Sequence, residues 1–288
     1  MCNIQMLYFQ ERQVVKTSNQ EIISLINDIT VSAEEMLGNR CMSVYIMGSL
    51  ARGGFSEVAS DIDLGLILSG PLQDDDLSTI EEIQTNIVKN YPQINNNVSI
   101  FWGTIGSING VVDAGRYPPF DRLDLINHAL LLSGLEVRDQ LIKPTNKELE
   151  IASAEFSIDY LGNNERINEF LNCELITNKG TVYVTKTILF PARFIYLAKT
   201  SEIAGNDVSY RYYIDNFSGS DAELVDSGYQ WRLNSLPENL DSVNRKIEKG
   251  LIKLYHNFID IYVARMDLYG QFELKSKLTQ WKKNITSD

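Results

Sequence analysis

Two aspartates, Asp61 and Asp63, flank a single isoleucine in the apolar run "DIDLGLIL", and eleven residues separate the pair Gly48-Ser49 from the first of them. Carboxylates beside Leu64, Leu66 and Ile67 are costly unless water or a cation compensates them, so the stretch reads as either a solvated strand end or a metal site. On a strand, residues i and i+2 share a face, which would aim Asp61 and Asp63 at one spot and send Ile62 into the opposite layer. Paired carboxylate oxygens suit a hard divalent ion such as Mg²⁺, with substrate phosphate oxygens and water completing its shell. The Gly-Ser turn supplies a complementary half. Gly48 lets backbone approach a phosphate, N–H groups at the start of "SLARGG" can face its oxygens, Ser49 offers a hydroxyl, and Arg52 adds positive charge.

The elements that must position these groups follow from periodicity. "TSNQEIISLINDITVSAEEML" repeats Ile22, Ile23, Leu25, Ile26 and Ile29 close to helical spacing, with Ser18 as a candidate N-cap. "CMSVYIM" reads as a strand leading into the Gly-Ser turn, "DIDLGLIL" as a second strand, "LSTIEEIQTNIVKNY" as a helix and "NVSIFWGTI" as a third strand. Asp74-Asp75-Asp76 reads as a solvated turn and helix cap. "GRYPPFDR" is a break, because consecutive prolines cannot continue a helix or sit in a central strand. "LDLINHALLLSG" is expected to be helical up to Gly134. Beyond about residue 150 helical patterns dominate, including "INEFLNCELI" and "TVYVTKTILFPARFIYLAKTS", where Pro191 starts or kinks a helix. The clustered tyrosines of "YRYYIDNF" are expected to be half-buried packing residues with a wet hydroxyl, and Trp102 and Trp231 core residues. The expected fold class is a mixed α/β (α+β) domain with a small mixed sheet, residues 1–147, followed by a mainly α-helical domain, residues 148–288.

With these residues in view, "GSLARGGFSEVASDIDLGLIL" resembles the signature of the DNA polymerase β-like nucleotidyltransferase superfamily, and the α/β-then-helical order is similar to its aminoglycoside nucleotidyltransferases, which are adenylyltransferases. The resemblance is concentrated in residues 40–70. "LLLSGLEVRDQLIKP" and "RFIYLAKTSEIAGNDVSYRYYI" look like the family's post-sheet segment and its C-terminal helix pair.

The resemblance implies a Mg²⁺-dependent enzyme that moves a nucleoside monophosphate, AMP from ATP, onto a hydroxyl of a small molecule such as an aminoglycoside, releasing pyrophosphate. Asp61 and Asp63 would hold the metal. Gly48 and Ser49 would bind the β- and γ-phosphates, with Ser60 supporting them and Arg52 contributing to the nucleotide site. Members of the superfamily usually carry a third carboxylate on the neighbouring strand, yet 97–105 holds no acidic residue, and Ser99 is nearest the expected place. Asp113, Asp121 and Asp124 are the candidates from the following segment. Two alternatives stay open: the same chemistry with a lincosamide or protein acceptor, and a non-catalytic nucleotide-binding module.

Composition narrows the field further. Of the 38 acidic and 26 basic residues, residues 1–150 hold 20 and 10, so the negative charge lies with the motif. That balance disfavours a nucleic acid partner. With only two histidines, His128 and His256, carboxylate chemistry is favoured over histidine-based chemistry. Three widely spaced cysteines, Cys2, Cys41 and Cys173, fit reduced thiols. No apolar run reaches the roughly 18 to 20 residues of a membrane span, and "MCNIQMLYFQERQ" lacks a secretory pattern, so a cytoplasmic location is expected.

Overall fold

The structure, a computed structural model, describes residues 15–94, 98–112 and 114–286. Cys2, the opening segment "MCNIQMLYFQERQ" and the candidate Asp113 lie outside the described residues. The chain divides into two compact units, one comprising the residues up to Gly53 with Ile62–Gly115 and Asn127–Leu141, the other comprising Gly54–Asp61, Arg116–Ile126 and Ile142–Asp288.

The first unit is a four-stranded mixed sheet with helices. In chain order it contains α1 (Gln20–Leu37), β1 (Cys41–Ile46), the short α2 (Gly48–Arg52), β2 (Ile62–Leu68), α3 (Asp76–Asn90), β3 (Val98–Thr104), α4 (Ile105–Ile108) and β4 (Leu130–Gly134). The strand order is β3-β2-β1-β4; β2 and β3 run parallel, whereas β1 is antiparallel to both β2 and β4. α1 packs on β1, α3 on β3, and the two helices on each other. The apolar face of α1, formed by Ile22, Leu25, Ile26 and Ile29, is buried as its spacing predicts. The N-cap is Asn19 rather than Ser18, because Asn19 accepts hydrogen bonds from the Glu21 and Ile22 amides.

Two sequence expectations in this unit need correction. "ALLLSG" is not helical: α5 (Pro119–His128) ends before it, and Leu130–Gly134 forms β4. A four-residue apolar run carries no period that separates strand from helix, and pairing with β1 decides the matter. Asp76 is not solvated. It is buried, accepts from the Gln73 amide at 2.7 Å, and pairs with the Arg40 guanidinium. The Pro-Pro break is met by Pro119 opening α5, where the missing N–H costs no helical hydrogen bond.

The second unit is helical, with most of α5 joined by α6 (Asn146–Leu161), α7 (Asn164–Leu171), α8 (Glu174–Thr177), α9 (Thr181–Thr200), α10 (Asn206–Asn216), α11 (Ser220–Asn234), α12 (Leu240–Leu268) and α13 (Phe272–Ile285). "INEFLNCELI" is thus two helices, split at Asn172, whose side-chain amide donates to the Asn168 carbonyl at 3.0 Å and competes with helix continuation. The core gathers Ile188 and Ile195 of α9, Leu224 and Val225 of α11, Tyr255, Phe258 and Tyr262 of α12, and Trp281 of α13. Tyr210, Tyr213 and Trp231 are buried, as expected for packing aromatics, while Trp102 is half-buried. α11 and α12 approach closely at Gly250, where a Cβ would stand 2.4 Å from the Ser220 carbonyl oxygen. Pro191 lies inside α9, neither at its start nor at its end.

α6 opens on a capping box: Thr145 accepts from the Glu148 amide, and Glu148 accepts from the Thr145 amide at 2.8 Å. Thr145→Ala is expected to cost about 1 kcal/mol in urea unfolding. The Thr145 amide, ahead of the Arg122 guanidinium, holds the Glu148 carboxyl below the usual range. A depressed carboxyl stabilises the fold above its unfolded pKa and loses that contribution as pH falls through its folded value. The penalty of Glu148→Gln should therefore be largest at neutral pH and fade below about pH 4.

Burial pushes the thiols of Cys41 and Cys173 up to about 11, with Glu34 adding to the effect at Cys41, so both are protonated and free at neutral pH. No helix among the described residues is long and apolar enough to cross a membrane.

Candidate active site

In the first unit, β1 delivers the chain to Met47, whose amide donates to the Asp63 carbonyl at 2.8 Å and locks the strand end to β2. The backbone then turns at Gly48, with φ +62°, into α2. A Cβ on Gly48 would stand 2.1 Å from Asp63 Oδ2, so the carboxylate lies directly against backbone that only glycine leaves open. Ser49 is half-buried in the first turn of α2, and Met47 at the N-cap has no side-chain oxygen with which to cap it. Arg52 ends α2, its carbonyl accepting from Lys16 Nζ at 2.9 Å.

Asp63 is the one half-buried position in β2, whose other residues are buried; strands covered on both faces lose the alternating pattern, which explains the near-continuous apolar run. In the parallel β2–β3 register the partner of Asp63 is Ser99, the position expected for a third carboxylate.

In the second unit, Asp61 stands just ahead of β2, and its Oδ2 accepts from Lys186 Nζ of α9 at 2.8 Å. The two side chains are 30% and 32% exposed, so water still reaches this ion pair. Ser60 is buried. Its hydroxyl oxygen accepts from the Ser56 amide at 2.8 Å and from the Arg232 guanidinium, which also donates to the Ala59 carbonyl at 2.9 Å. Ser56 Oγ returns a hydrogen bond to the Arg232 carbonyl at 2.6 Å. The segment 54–61 is therefore fastened to the end of α11 by reciprocal bonds through Arg232.

Lys186 and Arg232 escaped sequence reasoning. Their only local signal is a lone cation in otherwise neutral stretches, "YVTKTILF" and "YQWRLN", and their partners lie 125 and about 172 residues away. Among the described residues no three acidic, histidine or cysteine side chains gather closely enough to hold a metal. Asp124 is buried in α5.

The fold is similar to that of spectinomycin adenyltransferase AAD(9) from Enterococcus faecialis, whose crystal structure contains ATP and spectinomycin; the TM-score is 0.58 at 15% sequence identity, over 79% of this chain and 99% of that one. No protein-family model matches the chain. No curated protein matches it in sequence. The architecture, a small mixed sheet followed by a mainly helical C-terminal part, is thus shared with that adenyltransferase.

Proposed function

We propose that this chain is a nucleotidyltransferase that moves AMP from ATP onto a hydroxyl of a small molecule, with an aminoglycoside as the leading acceptor class. The observation that carries this proposal is the approach of the Gly48 backbone to the Asp63 carboxylate, on a fold shared with an adenyltransferase of spectinomycin. The donor set fits Mg²⁺. Asp61 and Asp63 offer hard carboxylate oxygens, and Mg²⁺ is commonly held by one or two carboxylates, with phosphate and water supplying the rest, so no all-protein cage is required. When bound, Mg²⁺ would neutralise phosphate charge and polarise the phosphorus under attack.

The chain's own residues have separate tasks in this proposal. Ser49 and the first turn of α2 receive the β- and γ-phosphates, and Gly48 keeps that turn close to Asp63. Arg52 adds charge at the end of the same short helix. Ser60 contributes by holding the segment that carries Asp61 in place through Arg232, since its oxygen already accepts two hydrogen bonds. The helical residues 148–288 form the acceptor-binding part, and residues 1–147 the nucleotidyltransferase part. ATP as co-substrate and the protonated, unpaired thiols of Cys41 and Cys173 support a cytoplasmic setting.

A second reading, a nucleotide-binding module without catalysis, is favoured by one observation: Ser99 stands opposite Asp63 where an acid would be expected. The two are separated by measuring Mg²⁺-dependent pyrophosphate release from each of the four nucleoside triphosphates, with and without aminoglycosides and lincosamides, for the native chain and Asp63→Ala. Release that requires ATP, one acceptor and Asp63 is expected. Nucleotide binding with no release under any combination would select the second reading.

A further inference from the structure

We propose that Lys186 is a built-in competitor for the divalent ion: its ammonium holds the Asp61 carboxylate until a metal takes its place, and it thereby sets how weakly the nucleotide-free protein binds that metal. The inference rests on the assignment of Asp61 as a metal ligand. Lys186 Nζ lies 2.8 Å from Asp61 Oδ2, within ordinary charge-assisted hydrogen-bonding distance. A divalent ion at about 2.1 Å would draw on the charge of the same carboxylate and stand close to the ammonium, so each cation weakens the other's hold on Asp61.

The surroundings of Lys186 make the contact a property of the fold rather than of a wandering side chain. The neighbours Val184 and Ile188 are fully buried in the helical core. Thr187 is held twice, its hydroxyl accepting from the Arg166 guanidinium at 2.7 Å and its carbonyl accepting from the Tyr255 hydroxyl at 2.7 Å. The backbone at Lys186 is thus a fixed platform, and only the four-carbon stem moves. A lysine suits such a task because its ammonium is a compact charge on a flexible stem, able to leave one partner without disturbing the helix.

Charge counting points the same way. No group of three acidic side chains gathers at a metal-holding distance among the described residues, and one of the two candidate carboxylates already has a cation on it. The protein alone therefore presents little uncompensated negative charge to an ion, and the phosphates of a nucleotide would have to bring the remainder. Metal and nucleotide should bind together, with the metal binding poorly by itself.

The test is Mn²⁺ binding to nucleotide-free protein, read from the electron paramagnetic resonance signal of free Mn²⁺. The proteins are the native chain, Lys186→Gln, Lys186→Met, Lys186→Arg and the double variant Asp61→Asn/Lys186→Gln, each with its fold checked by circular dichroism. Both neutral replacements should bind Mn²⁺ at least about fivefold more tightly than the native chain, on the scale expected for releasing a part-exposed ion pair and removing a nearby positive charge. Lys186→Arg should show no gain, and the double variant should lose it. A purely structural role for Lys186 would leave Mn²⁺ affinity unchanged or lower it. If the neutral variants bind no more tightly, the inference is overturned while Asp61-dependent pyrophosphate release would leave the proposed function standing. Absence of Mn²⁺ binding in every protein, with ATP present as well as without it, would overturn both.

Discussion

Gly48→Ala is expected to lower the proposed nucleotidyl transfer by at least about a hundredfold while leaving the protein folded. Two independent costs meet at this position. With φ at +62°, a residue bearing a Cβ is strained by about 1–2 kcal/mol. The added methyl would also stand 2.1 Å from Asp63 Oδ2, far inside contact distance, so either the carboxylate or the turn must move by about an ångström. A shift of that size at a reacting centre costs on the order of a hundredfold in rate. Ser49→Ala removes one hydroxyl without moving the backbone and should cost much less. Steady-state pyrophosphate release for the two variants, beside thermal melts showing that Gly48→Ala loses only a few degrees, checks the expectation. Near-native activity in Gly48→Ala would mean that the close approach at Gly48 has no part in the chemistry.

The largest loss of stability is expected from Arg265→Met. Glu150 of α6 is wholly buried, and both of its oxygens accept from the Arg265 guanidinium of α12, one contact measuring 2.6 Å. That bidentate pairing is what makes a buried carboxylate tolerable. Arg265 itself also donates to the Tyr269 hydroxyl at 2.9 Å. Removing the guanidinium leaves an uncompensated buried charge, a change that costs about 3–5 kcal/mol and, for a chain of this size, lowers the melting temperature by on the order of 10 °C. Replacing both partners, as in Glu150→Leu/Arg265→Met, should recover much of the loss, because no charge then remains to be solvated. Urea midpoints for the single and double variants decide the matter; equal destabilisation in both would show that packing, not charge, dominates at this site.

What could be read in the sequence was what chain connectivity makes local. Gly48 and Asp63 lie at the ends of adjacent antiparallel strands joined by a short segment, so their spacing alone brings them near, and Ser99 follows as soon as β3 pairs in parallel beside β2. α1 and α9 were visible in their apolar spacing because each covers three or more turns. Some failures were local, such as the cap at Asn19 in place of Ser18 and the helix break at Asn172, but the larger ones involve distant partners. β4 is a strand because β1 accepts it, and Asp76 is buried because Arg40 reaches it across 36 residues. Lys186 meets Asp61 across 125 residues, a pairing that no local pattern encodes. The engagement of Ser60 with Arg232 depends on α11, a helix that sequence reading did not identify, about 172 residues further along the chain.

The proline in the middle of α9 couples two distant positions energetically. Proline at position 191 removes the amide that would have bonded the Thr187 carbonyl one turn earlier, and such an orphaned buried acceptor costs about 1–3 kcal/mol. The Tyr255 hydroxyl, arriving from α12, satisfies that carbonyl at 2.7 Å. The two residues are therefore epistatic. A tyrosine at 255 is harmless in a lineage whose residue 191 still carries its amide, whereas a proline at 191 arriving first would have faced an unsatisfied carbonyl. The hydroxyl of Tyr255 therefore matters most for stability where residue 191 lacks its amide, as it does here.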